Sequence, residues 1–388
     1  MTTLSDFFKK ETVRSAPSGK EAASPRAHKF RRGVMTALLF ASSVAAPSLS
    51  QAFAQQQPRK IVIRQPIENV TCKTPQGETL TYRIYNGYQD STHVARIREA
   101  VDAAMKTPTG ASVLKPFMQK KGIISMRHGM GNTLGSYMAS NNEIRLNAEA
   151  RGSSLKSTIV HEGTHAKQKA AGYSLERDMN AASIFRVGRA LEADAWTHQI
   201  FAASEMAAQG DSAVWKDVAL SKPLMAEAFV QARNAGKDNA GIARETMLSY
   251  YRESACMDVY DKTYAGIVEG SSYVDADNAD VRVQKDVTPA EIAAKLCTFR
   301  GKPYLGAEGG ALLSDSLRNG VSEAIYEKLT AASAEHADCL KALPSVKARN
   351  DVSYRSFHVR KNDGTYRAPE AAFQTAALNR ALQARSGK

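Results

Sequence analysis

The chain has 388 residues, of which 43% are hydrophobic, and a formal net charge of +13. This length and this apolar content are sufficient for a full hydrophobic core. Lysine and arginine are scattered among acidic residues without a continuous basic block, which argues against a nucleic-acid-binding protein.

The first 54 residues have the pattern of an export signal. Residues 1–32 are basic and lack hydrophobic periodicity, and an apolar run begins at Gly33 and leads to Ala52-Phe53-Ala54. A basic flank, a short apolar run and an A-x-A sequence are typical of a cleavable signal peptide. Because serine and proline residues interrupt the run, it is too short to span a bilayer. We expect cleavage after Ala54, a periplasmic or secreted protein and no stable membrane insertion afterwards. Arg31-Arg32 leaves a twin-arginine route open beside the general secretory route.

Three further regions follow the leader. Residues 55–90 form an N-terminal linker with short β-like runs at Ile61–Ile63 and Leu80–Tyr85. Residues 91–210 combine a helix over Val94–Met105, strands over Ile123–Met126 and Glu143–Asn147 with a glycine-rich turn between them, and two later helices. Residues 211–388 are alanine-rich and mostly helical, with predicted helices over 226–233, 240–251, 289–297, 321–340 and 369–383.

The sequence His161-Glu162-Gly163-Thr164-His165 lies in the helix that follows the second strand. Residues four apart share one face of a helix, so both imidazoles can reach a single metal ion. Glu162 flanks that position and is the candidate general base toward a zinc-bound water, whose pKa zinc lowers toward neutrality. Gly163 leaves room close to the metal. The pattern predicts Zn²⁺-dependent hydrolysis of peptide bonds.

A strand, a short connection, an HExxH helix and a later helix that carries an acid resemble the zincin metallopeptidases. The H-E-G-T-H and later E-A-D-A sequences are also similar to uncharacterised bacterial metallopeptidase domains, over roughly residues 91–205. The resemblance implies an α+β fold, in which a zincin-like core with a small mixed sheet and the HExxH helix precedes a largely helical C-terminal region. Glu143–Asn147 resembles the edge strand that lines the zincin substrate cleft.

The resemblance also implies a third metal ligand from the later helix, as in the glutamate-zincins. Glu192 is the candidate, Asp194 is the alternative ligand, and His198 lies one turn further on. The sequence departs from the family pattern in two ways. Glu192 follows His165 by 27 positions, a longer separation than in the best-known members, and Trp196 stands where a second acid is usual. Asp194 has another possible role, which is to orient a histidine ligand.

A residue of the later half is expected to stabilise the negative charge that develops in the transition state. Tyr250, Tyr251 and Arg252 are the candidates, and their spacing does not select one. The isolated histidines are expected to be structural; they are His93, His128, His336 and His358.

The four cysteines are widely spaced and include no CxxC pair, which disfavours a zinc-thiolate site. In an oxidising compartment they predict two disulfides, for which three pairings are open; these cysteines are Cys72, Cys256, Cys297 and Cys339.

The function predicted for the chain is an exported zinc metallopeptidase that acts on a peptide or protein. The first alternative is a non-catalytic envelope protein that uses a zincin scaffold with zinc to bind a partner. The presence of Glu162 argues against it, because a binding protein has no need of the base. The second alternative is a structural protein without metal that disulfides hold together. The oligomeric state stays open.

Overall fold

The computed structural model describes residues 67–369, apart from 177–178, 272, 275–284, 316–317, 319, 343–346 and 349–352. The predicted leader, the cleavage site after Ala54 and the run at Ile61–Ile63 lie outside the described residues, as does the predicted helix over 369–383 beyond its first residue. The described chain combines helices with small sheets, in agreement with the predicted α+β class.

A five-stranded mixed sheet forms the N-terminal part. Its strands are β1 (Ile67–Lys73), β2 (Thr79–Tyr85), β3 (Ile123–Arg127), β4 (Gly135–Met138) and β5 (Glu143–Asn147). The order across the sheet is β1-β2-β3-β5-β4. Strands β2, β3 and β5 are parallel, whereas β1 and β4 run antiparallel to their neighbours. The parallel strands are the most deeply buried, as expected for strands covered on both faces.

The predicted strand over Glu143–Asn147 is confirmed, but it is not the edge of the sheet. Strand β4 lies outside it, in the segment expected to form a glycine-rich turn, and pairs Tyr137 with Ile144. Local sequence could not show this because the order of strands depends on long-range pairing. The edge strand next to β5 is therefore β4.

Three helices pack beside this sheet, and a fourth packs against them. They are α1 (Ser91–Met105), α2 (Pro108–Gln119), α3 (Gly152–Ala170) and α4 (Ala181–Ala208). Helix α3 carries the HExxH sequence and contacts α1, α2, α4 and the strands β4 and β5. The sequence analysis predicts no helix at α2, whose proline and glycine residues weaken the helical pattern. There a proline occupies the first turn, and the Thr107 side chain caps the helix by accepting a hydrogen bond from the Gly110 N–H.

Helices α2 and α3 approach each other closely at Gly163. A Cβ atom at this position would lie 2.6 Å from Cδ2 of Leu114. The glycine therefore serves the packing of two helices, and the expectation that it leaves room beside a metal is wrong. This close contact packs the HExxH helix tightly against α2 in the core.

The rest of the chain is mainly helical. Its helices are α5 (Ser212–Ser221), α6 (Pro223–Asn234), α7 (Asn239–Tyr250), α8 (Ser254–Ser271), α9 (Pro289–Glu291), α10 (Gly309–Ser314) and α11 (Glu323–Ala342), with a π-helical turn at Ile292–Leu296 and a 3₁₀ turn at Ser353–Ser356. Its short strands are β6 (Tyr273–Val274), β7 (Thr298–Phe299), β8 (Lys302–Pro303), β9 (Val321–Ser322), β10 (Lys347–Ala348), β11 (Val359–Arg360) and β12 (Tyr366–Arg367). The helix predicted over 289–297 is thus a single turn followed by the π-helical segment.

One hydrophobic core extends from the sheet through α3 and α4 into the C-terminal helices. Its fully buried members include Ile124, Leu114, Ile159 and Phe185. Within the described residues, no helix is both long and apolar enough to cross a lipid bilayer.

The prediction of two disulfides is wrong. Cys72 and Cys297 are buried free thiols, and Cys256 is a partly buried free thiol. Every possible bridge between two of the four cysteines would include at least one of these three. The thiol of Cys72 instead lies in the core, 3.6 Å from Sδ of Met118. Its burial raises its pKa to about 11, so it packs as a small apolar group.

Candidate metal centre

Two histidines of α3 turn their rings toward the same point. His161 and His165 lie one helical turn apart, and their Nε2 atoms are 3.2 Å from each other. The rings meet edge to face with a centroid distance of 4.8 Å. The side chain of His161 is 9% exposed and that of His165 is 19% exposed, so the point between them is largely shielded from solvent.

Glu192 of α4 completes the cluster. Its Oε2 atom lies 3.4 Å from Nε2 of His161, and its Oε1 atom lies 3.5 Å from Nε2 of His165. One ligand atom from each of the three side chains falls within 4.8 Å of the others. Among the residues that the structure describes, this is the one group of three or more such side chains.

Burial and the neighbouring groups act in opposite directions on the Glu192 carboxyl. Burial raises its pKa, but the imidazoles of His165 and His161 and the hydroxyl of Tyr260 outweigh this effect and bring the pKa to about 2. The carboxylate is therefore charged at any physiological pH. Its Oε2 atom is buried and has no hydrogen-bond partner. A buried charged oxygen without a partner requires a compensating group.

Glu162 lies beside this cluster and beneath strand β4. The residue is 5% exposed. Burial raises the pKa of its carboxyl to about 7, and the Glu192 carboxylate acts in the same direction. The backbone N–H of Tyr137 on β4 faces this carboxylate and acts to lower its pKa. The edge strand and the candidate base are thus in direct contact.

Residues 76–305 match the model of a family whose description is "Putative metallopeptidase family (DUF6782)". The match covers more than half of the chain. The chain belongs to this metallopeptidase family. The description implies a hydrolase that uses a metal ion and acts on peptide bonds. No curated protein and no solved structure matches the chain.

The family implies a metal ion. The side chains of Gln168 and Gln199, which contact the two histidines, indicate that the histidines suit such an ion. Nδ1 of His165 lies 2.9 Å from Oε1 of Gln168, and Nδ1 of His161 lies 3.0 Å from Oε1 of Gln199. An amide oxygen only accepts a hydrogen bond, so these contacts favour the tautomer with the proton on Nδ1 in both histidines. In that tautomer both Nε2 atoms offer a lone pair to a metal ion.

Three lone pairs therefore converge where His161, His165 and Glu192 meet. Their mutual repulsion at such short distances is relieved when one cation shares them. Two imidazole nitrogens and one carboxylate oxygen are also a donor set that binds divalent transition metals. The residues of this metallopeptidase thus fit the metal that its family implies.

Asp194 points away from the cluster. Its Oδ1 atom accepts a hydrogen bond from the Tyr304 hydroxyl at 2.9 Å, and its Oδ2 atom accepts one from Nε2 of Gln168 at 2.8 Å. Both oxygens are thereby occupied, and the residue is fully buried. Asp194 contacts Gln168, which in turn contacts His165.

His198 also lies outside the cluster. Its Nδ1 atom lies 2.9 Å from the Asp194 carbonyl oxygen, and its Nε2 atom lies 3.2 Å from Nζ of Lys167. Burial, together with the charge of Lys167, lowers the pKa of His198 to about 4, so the ring is neutral. It fills a buried space rather than a ligand position.

Trp196 and Tyr260 line the other side of the cluster. The Trp196 ring meets that of His161 at a centroid distance of 4.9 Å, and Nζ of Lys222 lies 3.8 Å from the centre of the Trp196 ring. Tyr260 on α8 bonds through its hydroxyl to Glu192, and burial raises its pKa well above the usual value, so that it stays protonated. The sequence analysis does not identify Tyr260, Gln168 or Gln199. Helical spacing was the available signal for the glutamines, since Gln168 follows His165 by three positions and Gln199 follows Glu192 by seven.

The three candidates for transition-state stabilisation differ in their surroundings. Burial raises the pKa of Tyr250 well above its usual value, and the Glu192 charge acts in the same direction. Tyr250 and Tyr251 are buried. Arg252 lines a separate cavity of about 420 Å³ between α6 and α7. Of the isolated histidines, His93 and His128 lie together near Tyr88, with a distance of 5.2 Å between their ring centroids.

Proposed function

We propose that the chain is an exported zinc-dependent peptidase, in which His161, His165 and Glu192 hold the metal and Glu162 is the general base. The observation that carries the proposal is the convergence of three ligand atoms within 4.8 Å, with an amide oxygen facing Nδ1 of each histidine. Membership of the metallopeptidase family supports a hydrolase of this kind. Zinc is the metal that most often combines two histidines and one glutamate in catalytic sites.

When bound, zinc supplies a Lewis acid that polarises the scissile carbonyl and lowers the pKa of water. The carboxylate of Glu162 takes a proton from the attacking water and passes it to the leaving amine. Its pKa of about 7 suits a group that must both accept and release a proton near neutral pH. The Tyr260 hydroxyl on α8 acts on the pKa of Glu192 and stays protonated, so it is a candidate for orienting bound groups.

A peptide substrate fits the outer edge of β4. In the described sheet, β4 has a neighbour on one side only, which leaves backbone groups available for an added strand. An extended peptide paired there would pass Glu162, because the backbone of Tyr137 already contacts that carboxylate. This geometry favours an extended peptide over a small ester or a sugar as the substrate.

The export part of the proposal rests on the leader. A basic segment, an apolar run and the sequence Ala52-Phe53-Ala54 together predict removal of residues 1–54. We infer a periplasmic or secreted enzyme. Sequencing the N-terminus of the protein recovered from the periplasm or the culture fluid tests this part, with Gln55 as the expected first residue.

The enzymatic part is tested on protein expressed from the full chain. Zinc content is measured by elemental mass spectrometry, and cleavage is measured with a fluorescently labelled unfolded protein. We expect one zinc per chain in the wild type and in Glu162→Gln, with activity lost in Glu162→Gln by about 10²-fold to 10⁴-fold. His161→Ala and Glu192→Ala should lose both zinc and activity.

Three results would contradict the proposal. A wild-type protein that takes up no zinc, even after resupply, would leave a structural role without metal. If the protein binds zinc through His161 and Glu192 but Glu162→Gln cleaves as fast as the wild type, Glu162 is not the general base. Zinc binding without any cleavage would favour the non-catalytic envelope protein.

A further inference from the structure

We propose that Gln168, Asp194 and Tyr304 form a positioning relay that fixes the ring orientation and the tautomer of His165. The inference rests on the proposed metal site. The segment that follows α9 would help to hold one of the metal ligands of that site. Tyr304 lies directly after the β7–β8 pair, 110 positions beyond Asp194 in the chain. A segment remote in sequence would thus control one metal ligand.

The first step of the relay is the amide of Gln168. Its Nε2 atom donates to the carbonyl oxygen of Leu191 at 3.0 Å and to Oδ2 of Asp194 at 2.8 Å. Both partners only accept hydrogen bonds. A 180° flip of the Gln168 amide group would place its oxygen against two acceptors, so the amide has one allowed orientation. Oε1 must therefore face His165, and the proton of His165 must be on Nδ1.

The second step is the carboxylate of Asp194. It is fully buried, and a buried carboxylate is stable only when its oxygens receive hydrogen bonds. Gln168 supplies the donor to Oδ2, and the Tyr304 hydroxyl supplies the donor to Oδ1 at 2.9 Å. Burial raises the pKa of Tyr304 well above its usual value, with the Asp194 charge acting in the same direction, so the hydroxyl remains a donor.

The third step is the attachment of the β7–β8 segment to the helices. The backbone N–H of Tyr304 donates to the carbonyl oxygen of Cys297 at 3.0 Å. Nζ of Lys167, next to Gln168 on α3, donates to the carbonyl oxygen of Thr298 at 3.0 Å. The segment is therefore held against the HExxH helix itself, and the Tyr304 hydroxyl has a defined position.

His161 provides an internal comparison, because its own relay stays within α3 and α4. Gln199 accepts from His161 and donates through Nε2 to the hydroxyl of Ser157, which donates to the carbonyl oxygen of Ser154. No residue beyond α4 takes part in these contacts. Changes at Tyr304 should therefore alter His165 and leave His161 as it is.

The test measures zinc dissociation constants of the full protein by competition with a chelator. We expect Gln168→Leu and Asp194→Asn to weaken zinc binding by about 10-fold to 100-fold, and Tyr304→Phe by a smaller factor. Tyr173→Phe is the matched control, since its hydroxyl reaches only the Glu291 carbonyl oxygen at 3.4 Å. It should leave the zinc affinity unchanged.

A second readout separates positioning from general stability. Nitrogen NMR of the metal-free protein with ¹⁵N-labelled histidine reports which ring nitrogen carries the proton. In Asp194→Asn the new amide can donate a hydrogen bond to Gln168, so the Gln168 amide group can flip. Its NH2 group would then face Nδ1 of His165, and the proton of His165 should move to Nε2. His161 should keep its proton on Nδ1.

The outcomes are distinct. Gln168→Leu, Asp194→Asn and Tyr304→Phe could each lower the melting temperature of the metal-free protein. If they do so but bind zinc as tightly as the wild type and keep the His165 proton on Nδ1, the relay is wrong and these contacts only stabilise the fold. If His165→Ala binds zinc as the wild type does, the proposed metal site itself is wrong. Weakened zinc affinity together with the altered His165 proton supports the relay.

Discussion

Gly135 of the edge strand lies directly against Glu162. A Cβ atom at Gly135 would come within 3.1 Å of Oε1 of Glu162 and within 2.6 Å of Cγ2 of Thr158, one turn earlier on α3. Any side chain at this position must therefore push β4 away from the helix. The missing side chain is what allows the backbone of Tyr137 to reach the carboxylate.

We predict that Gly135→Ala impairs peptide cleavage more than it impairs folding. Displacement of β4 breaks the contact to Glu162 and misplaces any peptide paired with the strand, so activity should fall by at least about 10-fold, since small misplacements have such effects. The free energy of unfolding should decrease by about 1–3 kcal/mol because of overpacking. Zinc content should stay at the wild-type level, which elemental analysis checks.

Gly152→Ala is the control for this substitution. Gly152 begins α3, and a Cβ atom there would meet nothing within 4 Å. Its activity and stability should equal or exceed those of the wild type. Wild-type cleavage by Gly135→Ala would show that β4 does not need to lie so close to Glu162.

Removal of the metal should destabilise the protein. A ligand that binds only the folded chain adds about 2.7 kcal/mol at a free concentration one hundred times its Kd. Calorimetry with a chelator, and then with zinc restored, should show a melting temperature that falls and recovers. His161→Ala and Glu192→Ala should abolish this shift. His128→Ala, which removes a half-exposed imidazole, should retain it; an equal shift in all variants would place the metal elsewhere.

The carboxyl of Glu143 should make stability depend on pH in the acid range. Burial raises its pKa, but hydrogen bonds from Ser125, Arg145, Arg127 and Asn141 outweigh burial and lower the pKa from 4.5 to about 2. A carboxyl with a depressed folded-state pKa stabilises the fold above its unfolded pKa, and this contribution is lost as the pH falls through the folded pKa. We expect a loss of up to about 3 kcal/mol between about pH 4.5 and 2.

Denaturant unfolding at a series of pH values tests this prediction. Glu143→Gln should be less stable than the wild type at neutral pH and should have a flatter curve between about pH 4.5 and 2. Glu68→Gln is the control, because the Glu68 side chain is 45% exposed and lies in a surface ion pair. An unchanged acid dependence in Glu143→Gln would assign acid sensitivity to other carboxyls.

The buried ion pair between Arg189 and Asp261 should be important for stability. The guanidinium donates to both carboxylate oxygens at 2.8 and 2.6 Å, and also to the carbonyl oxygens of Arg318 and Gly320. Asp261→Ala leaves a buried arginine without its partner and should cost about 3–5 kcal/mol. The double variant Arg189→Met with Asp261→Leu should be closer to the wild type, because no buried charge remains.

A surface ion pair provides the comparison. Lys115 and Glu78 are 2.7 Å apart with both side chains more than 40% exposed. Lys115→Met should change the free energy of unfolding by about 0–1 kcal/mol, because solvent screens the pair. If Asp261→Ala and Lys115→Met lower the free energy of unfolding by the same amount, burial does not determine how much the Arg189–Asp261 pair contributes to stability.

Local features were the most predictable. Strand β2, strand β5 and helix α3 follow from alternation and from helical periodicity, which depend on neighbouring residues. Helix α2 could not be predicted in the same way. Tertiary packing of its apolar face against α3 outweighs the unfavourable propensity of its proline and glycine residues.

The cysteines show a limit of composition as evidence. Their number and the predicted compartment favoured two disulfides, but a bridge needs two Cα atoms within about 7 Å. That distance is decided by packing, which places Cys72 against Met118 and leaves Cys256 and Cys297 as free thiols.

The sequence by itself determined that His161, Glu162 and His165 share one region of a helix, because a spacing of four residues is nearly one helical turn. The resemblance to the glutamate-zincins then pointed to Glu192, with Asp194 as the alternative, as the candidate for a third ligand. Only the tertiary structure decided that Glu192 faces the histidines while Asp194 faces Gln168 and Tyr304. The reason is physical: the rotation of α4 against α3 is set by the packing of their buried side chains, and a one-residue change in position turns a side chain by about 100° around the helix.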